Sequence, residues 1–254
     1  MAKEVVWALF DSETCTVAKA LPECVVYSFG KGSGTEHIDL DLSDFETAKK
    51  ALDNYPKPDV IFASPPCESW TNANASHKAK FTKQKGLNLH WQSKWIGFDF
   101  LHRFKEKRLN GINCTKTLAK IIQHYSPAYF AVENPAISLI FDYLREKCNL
   151  TGYKNLTNYY SYGLIYLKKT IILSNLKLDL KNLIPDRKLA EVSGGGNKKR
   201  NAKLKKYGLE FLSRKYKDRS LVPPALYQDI MRQFRHGGQP VLFSDSDYKV
   251  KEAV

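Results

Sequence analysis

Two short segments of this 254-residue chain carry side chains that could do covalent chemistry together. In Ser64-Pro65-Pro66-Cys67-Glu68-Ser69-Trp70, two prolines precede a cysteine. Their fixed φ restricts the local backbone and presents the thiol, which suits a nucleophile better than a core cysteine. In Ala131-Val132-Glu133-Asn134-Pro135, a carboxylate closes an apolar run, a costly place unless the group is paired or used. A carboxylate beside a thiol can protonate or anchor a substrate while the thiolate attacks it. Out of context, a lone cysteine is more often structural than reactive.

Other thiol chemistries need residues that the sequence does not supply. A zinc deaminase requires a second cysteine three residues after the first, and Trp70 stands there. A thiol hydrolase requires a partner histidine, and His77, His90, His102, His124 and His236 follow Cys67 in no recognisable setting. The five cysteines (15, 24, 67, 114 and 148) are odd in number and form no Cys-x-x-Cys pair. A zinc ribbon and a disulfide scaffold are therefore not expected, no metal ligand set is assigned, and a reduced intracellular setting is favoured.

The elements that must position these groups read as alternating strands and helices. Glu4–Phe10, Glu23–Phe29, Pro58–Ala63 and Ala128–Val132 are short apolar runs that read as buried strands, and His37–Leu42 alternates. Helices are expected over Thr14–Leu21, Ser43–Asn54, Cys114–Tyr125, Ile137–Lys147 and Pro223–Phe234, the last opened by Val222-Pro223-Pro224. Shorter strands are expected near Tyr153–Tyr160 and Lys169–Leu173. Apolar strands alternating with helices predict an α/β chain with a mostly parallel sheet covered on both faces. In such sheets the active crevice lies at the carboxyl ends of the strands, where Cys67 and Glu133 both fall. Hydrophobic residues make up 43% of the chain, enough for a globular domain, and no apolar run approaches the roughly 20 residues that span a bilayer. A soluble protein with no membrane partner is expected.

Charge is concentrated. The chain carries a net +14, yet residues 77–108 alone hold an excess of +7 and residues 181–219 an excess of +9, leaving −2 for the remainder. One such run is ordinarily a solvated face; two in an otherwise near-neutral chain point to a polyanion, most simply nucleic acid. Aromatic residues from Phe81 to Phe104 are interleaved with the first run.

With these residues in view, the chain resembles the DNA cytosine-5 methyltransferase family, particularly its small phage and prophage forms. SPPCESW resembles the family's Pro-Cys nucleophile loop, and AVENP its Glu-Asn-Val segment, often Glu-Asn-Pro in the small forms. YYSYGLIYLKKTIILSN resembles the strand with aromatic-Tyr-Gly followed by Lys-Pro-Thr, here Lys168-Lys169-Thr170, and SLVPPALYQDIM the closing helix. The resemblance implies a Rossmann-like methyltransferase fold with a small basic recognition lobe, divided as 1–175 (catalytic), 176–219 (target recognition) and 220–254 (returning helix and tail). It implies S-adenosyl-L-methionine as cofactor and double-stranded DNA as partner, with no obligate protein partner. Cys67 would add to carbon 6 of a flipped cytosine, Glu133 would bond the N3/N4 edge, and Asn134, with Lys168 as the nearest match to the family's basic residues, would shape the same site. Phe10, Asp11, Ser12, Thr16, Asp39, Asp41 and Pro65 would face the cofactor. Lys78, Lys83, Lys85, Lys198, Lys199 and Arg200 would meet the nucleic acid. The setting implied is the cytoplasm of a bacterial or phage-infected cell, with restriction-modification as context.

Besides Lys169, which stands where proline is usual, and a recognition region of only about 45 residues between Asn175 and Ser220, the chain departs from the family around the cofactor. The turn after the first strand, normally glycine-rich so that backbone can approach the cofactor, has no glycine between Phe10 and Ala18. The second strand ends in Tyr27-Ser28-Phe29-Gly30 without the usual acid, leaving Asp39 or Asp41 as the acid near the adenine. Gly30-Lys31-Gly32-Ser33-Gly34 offers a replacement glycine loop, but no helix follows it and it reads rather as a plain turn. These departures keep a second reading alive, a methyltransferase-like protein that binds DNA as a decoy or inhibitor without methylating it. A transfer enzyme acting on tRNA is a third.

Overall fold

The computed structural model describes residues 2–11, 14–32, 34–70, 102–164, 167–184 and 221–237, with backbone alone for Glu68 and residues 102–108. Its centre is a seven-stranded sheet: β1 (Val5–Leu9), β2 (Val25–Gly30), β3 (His37–Asp39), β4 (Val60–Ala63), β5 (Tyr129–Pro135), β6 (Tyr153–Asn158) and β7 (Lys169–Ser174). The spatial order is β3-β2-β1-β4-β5-β7-β6. The first five strands of this order pair in parallel, and β7 runs antiparallel to both β5 and β6. The fold is a mixed α/β one with a mostly parallel sheet, consistent with a Rossmann-like arrangement.

Strand residues alternate between two cores because successive side chains point to opposite faces. From β1, Trp7 and Leu9 join Phe29, Ile61 and Val132 on one face, while Val6 and Ala8 join Val60, Phe62 and Ala131 on the other. The first face is covered by α2 (Phe45–Leu52), α3 (His102–Tyr125) and α4 (Ile140–Cys148), the second by α1 (Thr16–Ala20) and α5 (Pro224–His236). Two-sided burial explains why these strands are apolar throughout. Asp44 caps α2, its carboxylate accepting from Thr47 N at 2.9 Å, and Asn149 closes α4 in the left-handed conformation.

Most boundaries fall within a few residues of expectation, with two differences. Helix α3 begins at His102, well before Cys114. Strand β5 does not stop at Val132 but continues through Glu133, Asn134 and Pro135, which face Ile172, Ile171 and Thr170 of β7. On its other side the pairing with β4 ends at Ala63↔Val132. Glu133 therefore sits where one neighbouring strand has ended and the other still supports it. The basic runs fall largely outside the described residues, as do Ser12, Lys78, Lys83, Lys85, Lys198, Lys199 and Arg200. Among the described residues, no helix is long and apolar enough to cross a membrane.

Candidate active site

Beyond the end of β4 the chain turns sharply through Ser64, Pro65 and Pro66 into a short 3-10 turn, Cys67–Ser69. Cys67 is half-buried there, whereas Cys15, Cys24 and Cys114 are buried. Burial pushes the thiols of Cys24 and Cys114 up to about 11. It also raises those of Cys15 and Cys148.

The cysteine loop is tied directly to the strand that carries the carboxylate. Asn134, fully buried, donates from Nδ2 to the Pro65 carbonyl at 3.0 Å. Its Oδ1 is buried and meets no hydrogen-bond donor among the described residues. Pro65 thus serves the loop through its carbonyl. From the far side, Leu139 N donates to the Trp70 carbonyl at 3.1 Å, and the Trp70 ring packs on Tyr143 at 4.9 Å.

Glu133 is buried, with 7% of its surface exposed. Its Oε1 accepts from the Tyr159 hydroxyl at 2.7 Å and from Thr170 Oγ1 at 2.8 Å. Lys168 Nζ lies 3.7 Å from the same oxygen, donates to the Tyr159 oxygen at 3.1 Å, and sits 4.3 Å above the Tyr159 ring. A buried carboxylate is tolerable when donors and a cation compensate for lost water, and this one has both. Burial, and then the Glu133 charge, raise the Tyr159 phenol well above its ordinary range, so it remains a donor.

A cavity of about 300 Å³ opens at the carboxyl ends of β1, β2 and β4. Phe10, Asp11, Gly30, Asp41, Ser64 and Pro66 are among its walls, with Lys31, Asn110 and Cys114. Phe10 and Cys15, either side of the glycine-less turn, both take the left-handed conformation, with φ of 57° and 46°. That backbone is the one glycine adopts freely; here two ordinary residues hold it, at a cost of about 1–3 kcal/mol each. Glycine is instead used across the gap. A Cβ on Gly30 would lie 2.9 Å from the Asp11 carbonyl, so the end of β2 and the β1 turn can approach only because position 30 has no side chain. Asp11 is fixed by Ser28, whose hydroxyl donates to its carboxylate at 2.9 Å.

The two acids after β3 separate. Asp41 lines the cavity, accepts from Ser43 N at 2.8 Å and pairs with Lys31 at 2.9 Å. The Ser43 hydrogen bonds, then Lys31, hold its carboxyl below the usual range despite partial burial. Asp39 instead accepts from Gly32 N at 3.3 Å, within the β2–β3 turn. Thr16 is buried at the start of α1, with its hydroxyl 3.0 Å from that of Thr14.

The structure thus brings Phe10, Asp11 and Asp41 to one cavity and Pro65, Asn134, Glu133 and Lys168 to the adjoining strand ends. Tyr159, Thr170, Gly30 and Tyr227 were not among the residues singled out from sequence. Tyr227 reaches in from α5; burial, and then the Asp11 charge, raise its phenol, while a hydrogen bond with Ser64 opposes them. Two of them carried a usable signal, Thr170 as the last residue of the Lys168-Lys169-Thr170 segment and Gly30 as the first of the glycine-rich turn after the second strand.

No family model matches the chain, and no curated protein matches it. Among solved structures it is similar to the Entamoeba histolytica methyltransferase EhMeth, with a TM-score of 0.41 and 10% identity over 73% of this chain. The similarity spans 58% of that protein, so this chain accounts for little more than half of its length.

Proposed function

We propose that this protein is an S-adenosylmethionine-dependent methyltransferase that modifies carbon 5 of cytosine in duplex DNA, with Cys67 as nucleophile. The observation that carries the reading is the join between the two chemical segments. Asn134 binds the Pro65 carbonyl at 3.0 Å while its neighbour Glu133 is held by two hydroxyls and faced by a lysine. A fold that needed neither a presented thiol nor a carboxylate would gain little from burying an acid at this strand end. The doubly wound sheet, with a reversed strand beside β5, is the framework expected of a Rossmann-like methyltransferase and supports the reading at the level of fold only.

The cavity fits the cofactor's needs. Phe10, Asp11 and Gly30 bring backbone to its wall, and the Asp41 carboxylate, also in the lining, offers hydrogen-bond acceptors. Phe10, Asp11, Gly30 and Asp41 would hold the nucleoside, and the bound cofactor would supply the methyl group.

The chain's own residues do the rest. Cytosine carbon 5 is a poor nucleophile until the ring's conjugation is broken. The Cys67 thiolate adds to carbon 6, and the ring electrons become available at carbon 5. The negative charge that the addition sends toward N3 is neutralised by a proton taken up there from solvent, and the Glu133 carboxylate, pre-positioned by its own donors, accepts from the resulting N3–H and the N4 amine. After carbon 5 is methylated, loss of its proton returns electrons to the ring and expels the thiolate. The base must leave the duplex first, at a cost of a few kcal/mol, which the basic runs around 77–108 and 181–219 would offset by gripping the phosphates.

Trapping tests this. Fluorine at carbon 5 blocks the final elimination, so duplex DNA with 5-fluorocytosine at every cytosine should become covalently bound. The adduct should require the cofactor and vanish in Cys67→Ser. Glu133→Gln should slow it about 10²–10³-fold. A second reading, DNA binding without methyl transfer, draws support from the non-glycine turn at Phe10 and Cys15. Calorimetry that detects no S-adenosylmethionine binding at millimolar ligand, together with failure to trap, would favour it.

A further inference from the structure

We propose that Tyr159 is a positioning residue: with Thr170 it occupies one oxygen of Glu133, so that the other oxygen alone is presented to the substrate base. The inference rests on the reading of Glu133 as the base-binding carboxylate and goes beyond it by stating which atom binds and what aims it.

A carboxylate oxygen has two lone-pair sites. On Oε1 both are taken, by the Tyr159 hydroxyl at 2.7 Å and the Thr170 hydroxyl at 2.8 Å. Oε2 accepts no hydrogen bond among the described residues and is not one of the fully buried unpartnered atoms. The direction of the Tyr159 proton is also determined. Lys168 can only donate, and it donates to the Tyr159 oxygen at 3.1 Å. The phenol proton therefore points to Glu133. Lys168 is itself steadied 4.3 Å above the Tyr159 ring. Tyr159 is wholly buried and Thr170 likewise, so neither hydroxyl can turn to water instead. An oxygen that only accepts, left free beside a clamped partner, suits a base edge that offers two donors. That is the pattern of a cytosine protonated at N3, with its exocyclic amine. A carbonyl in place of the amine would face the same oxygen repulsively.

The test uses Tyr159→Phe, which keeps the ring and removes the hydroxyl, and Thr170→Val, which carries the test should the first fail to fold. Single-turnover adduct formation on 5-fluorocytosine DNA should slow about 10- to 100-fold in each, the weight of a hydrogen bond to a charged group, with DNA and cofactor affinities unchanged. In a Glu133→Gln background, Tyr159→Phe should lose most of its effect, since the group it aims has gone. A second readout needs no activity: the carbon-13 carboxyl resonance of Glu133, assigned by its absence in Glu133→Gln, should shift in both variants. An active parent with unchanged rates in both variants, or full additivity with Glu133→Gln, overturns the positioning role. An inactive parent whose Glu133 resonance still moves in the variants would sink the cytosine reading and leave the clamp intact.

Discussion

Replacing Gly111 by alanine is expected to destabilise the protein, against the usual sign. Gly111 lies inside α3, where glycine normally costs about 1 kcal/mol relative to alanine. Here an added Cβ would fall well inside van der Waals contact with the Oγ and Cβ of Ser69, and 3.6 Å from the Trp70 indole nitrogen. Ser69 is buried in the 3-10 turn that begins with Cys67. That turn cannot retreat cheaply, because Leu139 N holds the Trp70 carbonyl at 3.1 Å and Tyr143 backs the Trp70 ring. Overpacking of this kind costs about 1–3 kcal/mol, so after the helix gain a net loss of about 1 kcal/mol remains. For a chain of this size that corresponds to about 2–4 °C in Tm. Denaturant and thermal unfolding of parent, Gly111→Ala, Ser69→Gly and the double variant would measure it. In the Ser69→Gly background the obstruction is gone, and Gly111→Ala should become stabilising. A Tm that rises in Gly111→Ala alone would show that α3 and the cysteine turn are not in the close contact described.

Three further outcomes follow from the same geometry. Burial pushes the Asp229 carboxyl up, but donors from Arg232, Tyr162 and Gln233 outweigh it and leave it below the ordinary 3.8. Its stabilisation is therefore complete above about pH 4 and is lost as pH falls through the folded value; Asp229→Asn should lower Tm at pH 7 but approach the parent near pH 2, and a gap that persists in acid would refute this. Because burial raises the other four thiols, brief iodoacetamide treatment at pH 8 followed by peptide mass spectrometry should find Cys67 modified first; earlier labelling of Cys148 or Cys24 would contradict the presented thiol. Gly30→Ala should force the β1 turn away from β2, and a displacement costing about 1–3 kcal/mol should weaken S-adenosylmethionine binding about 10- to 100-fold by calorimetry; an unchanged Kd would remove Gly30 from the cofactor's path.

The strands were legible because two-sided burial writes itself into sequence as unbroken apolar runs. EVVWALF contributes Trp7 and Leu9 to one core and Val6 and Ala8 to the other, so no polar residue could be spared. The continuation of β5 through Glu133-Asn134-Pro135 was not legible, since a carboxamide and a proline read locally as a strand's end. Only β7 arriving antiparallel supplies partners there, and β7 is some forty residues away in sequence. The early start of α3 was hidden for a related reason. Its first turns are strongly basic and fall within the 77–108 run, which reads first as a charged surface rather than as the start of a helix.

The site divides along the same line. Cys67 and Glu133 announce themselves because each violates a local preference, a thiol behind two prolines and an acid closing an apolar run. What supports them violates nothing. Tyr159 in YYSYG reads as an ordinary aromatic, and its role exists only because the 3-10 turn after β6 drops its hydroxyl onto an oxygen 26 residues earlier in the chain. Gly30 shows the converse. The β1 turn has no glycine, yet its close packing on β2 requires space on only one of the two facing segments. Phe10 takes the left-handed backbone at some cost in strain, and the absent side chain comes from β2. A requirement that belongs to a pair of strands can be met by either one, so a motif read along a single segment tests half of it. Gly30 and the Asp11 carbonyl meet in one wall of the proposed cofactor cavity, so Gly30→Ala moves that wall while leaving every side chain of the turn in place.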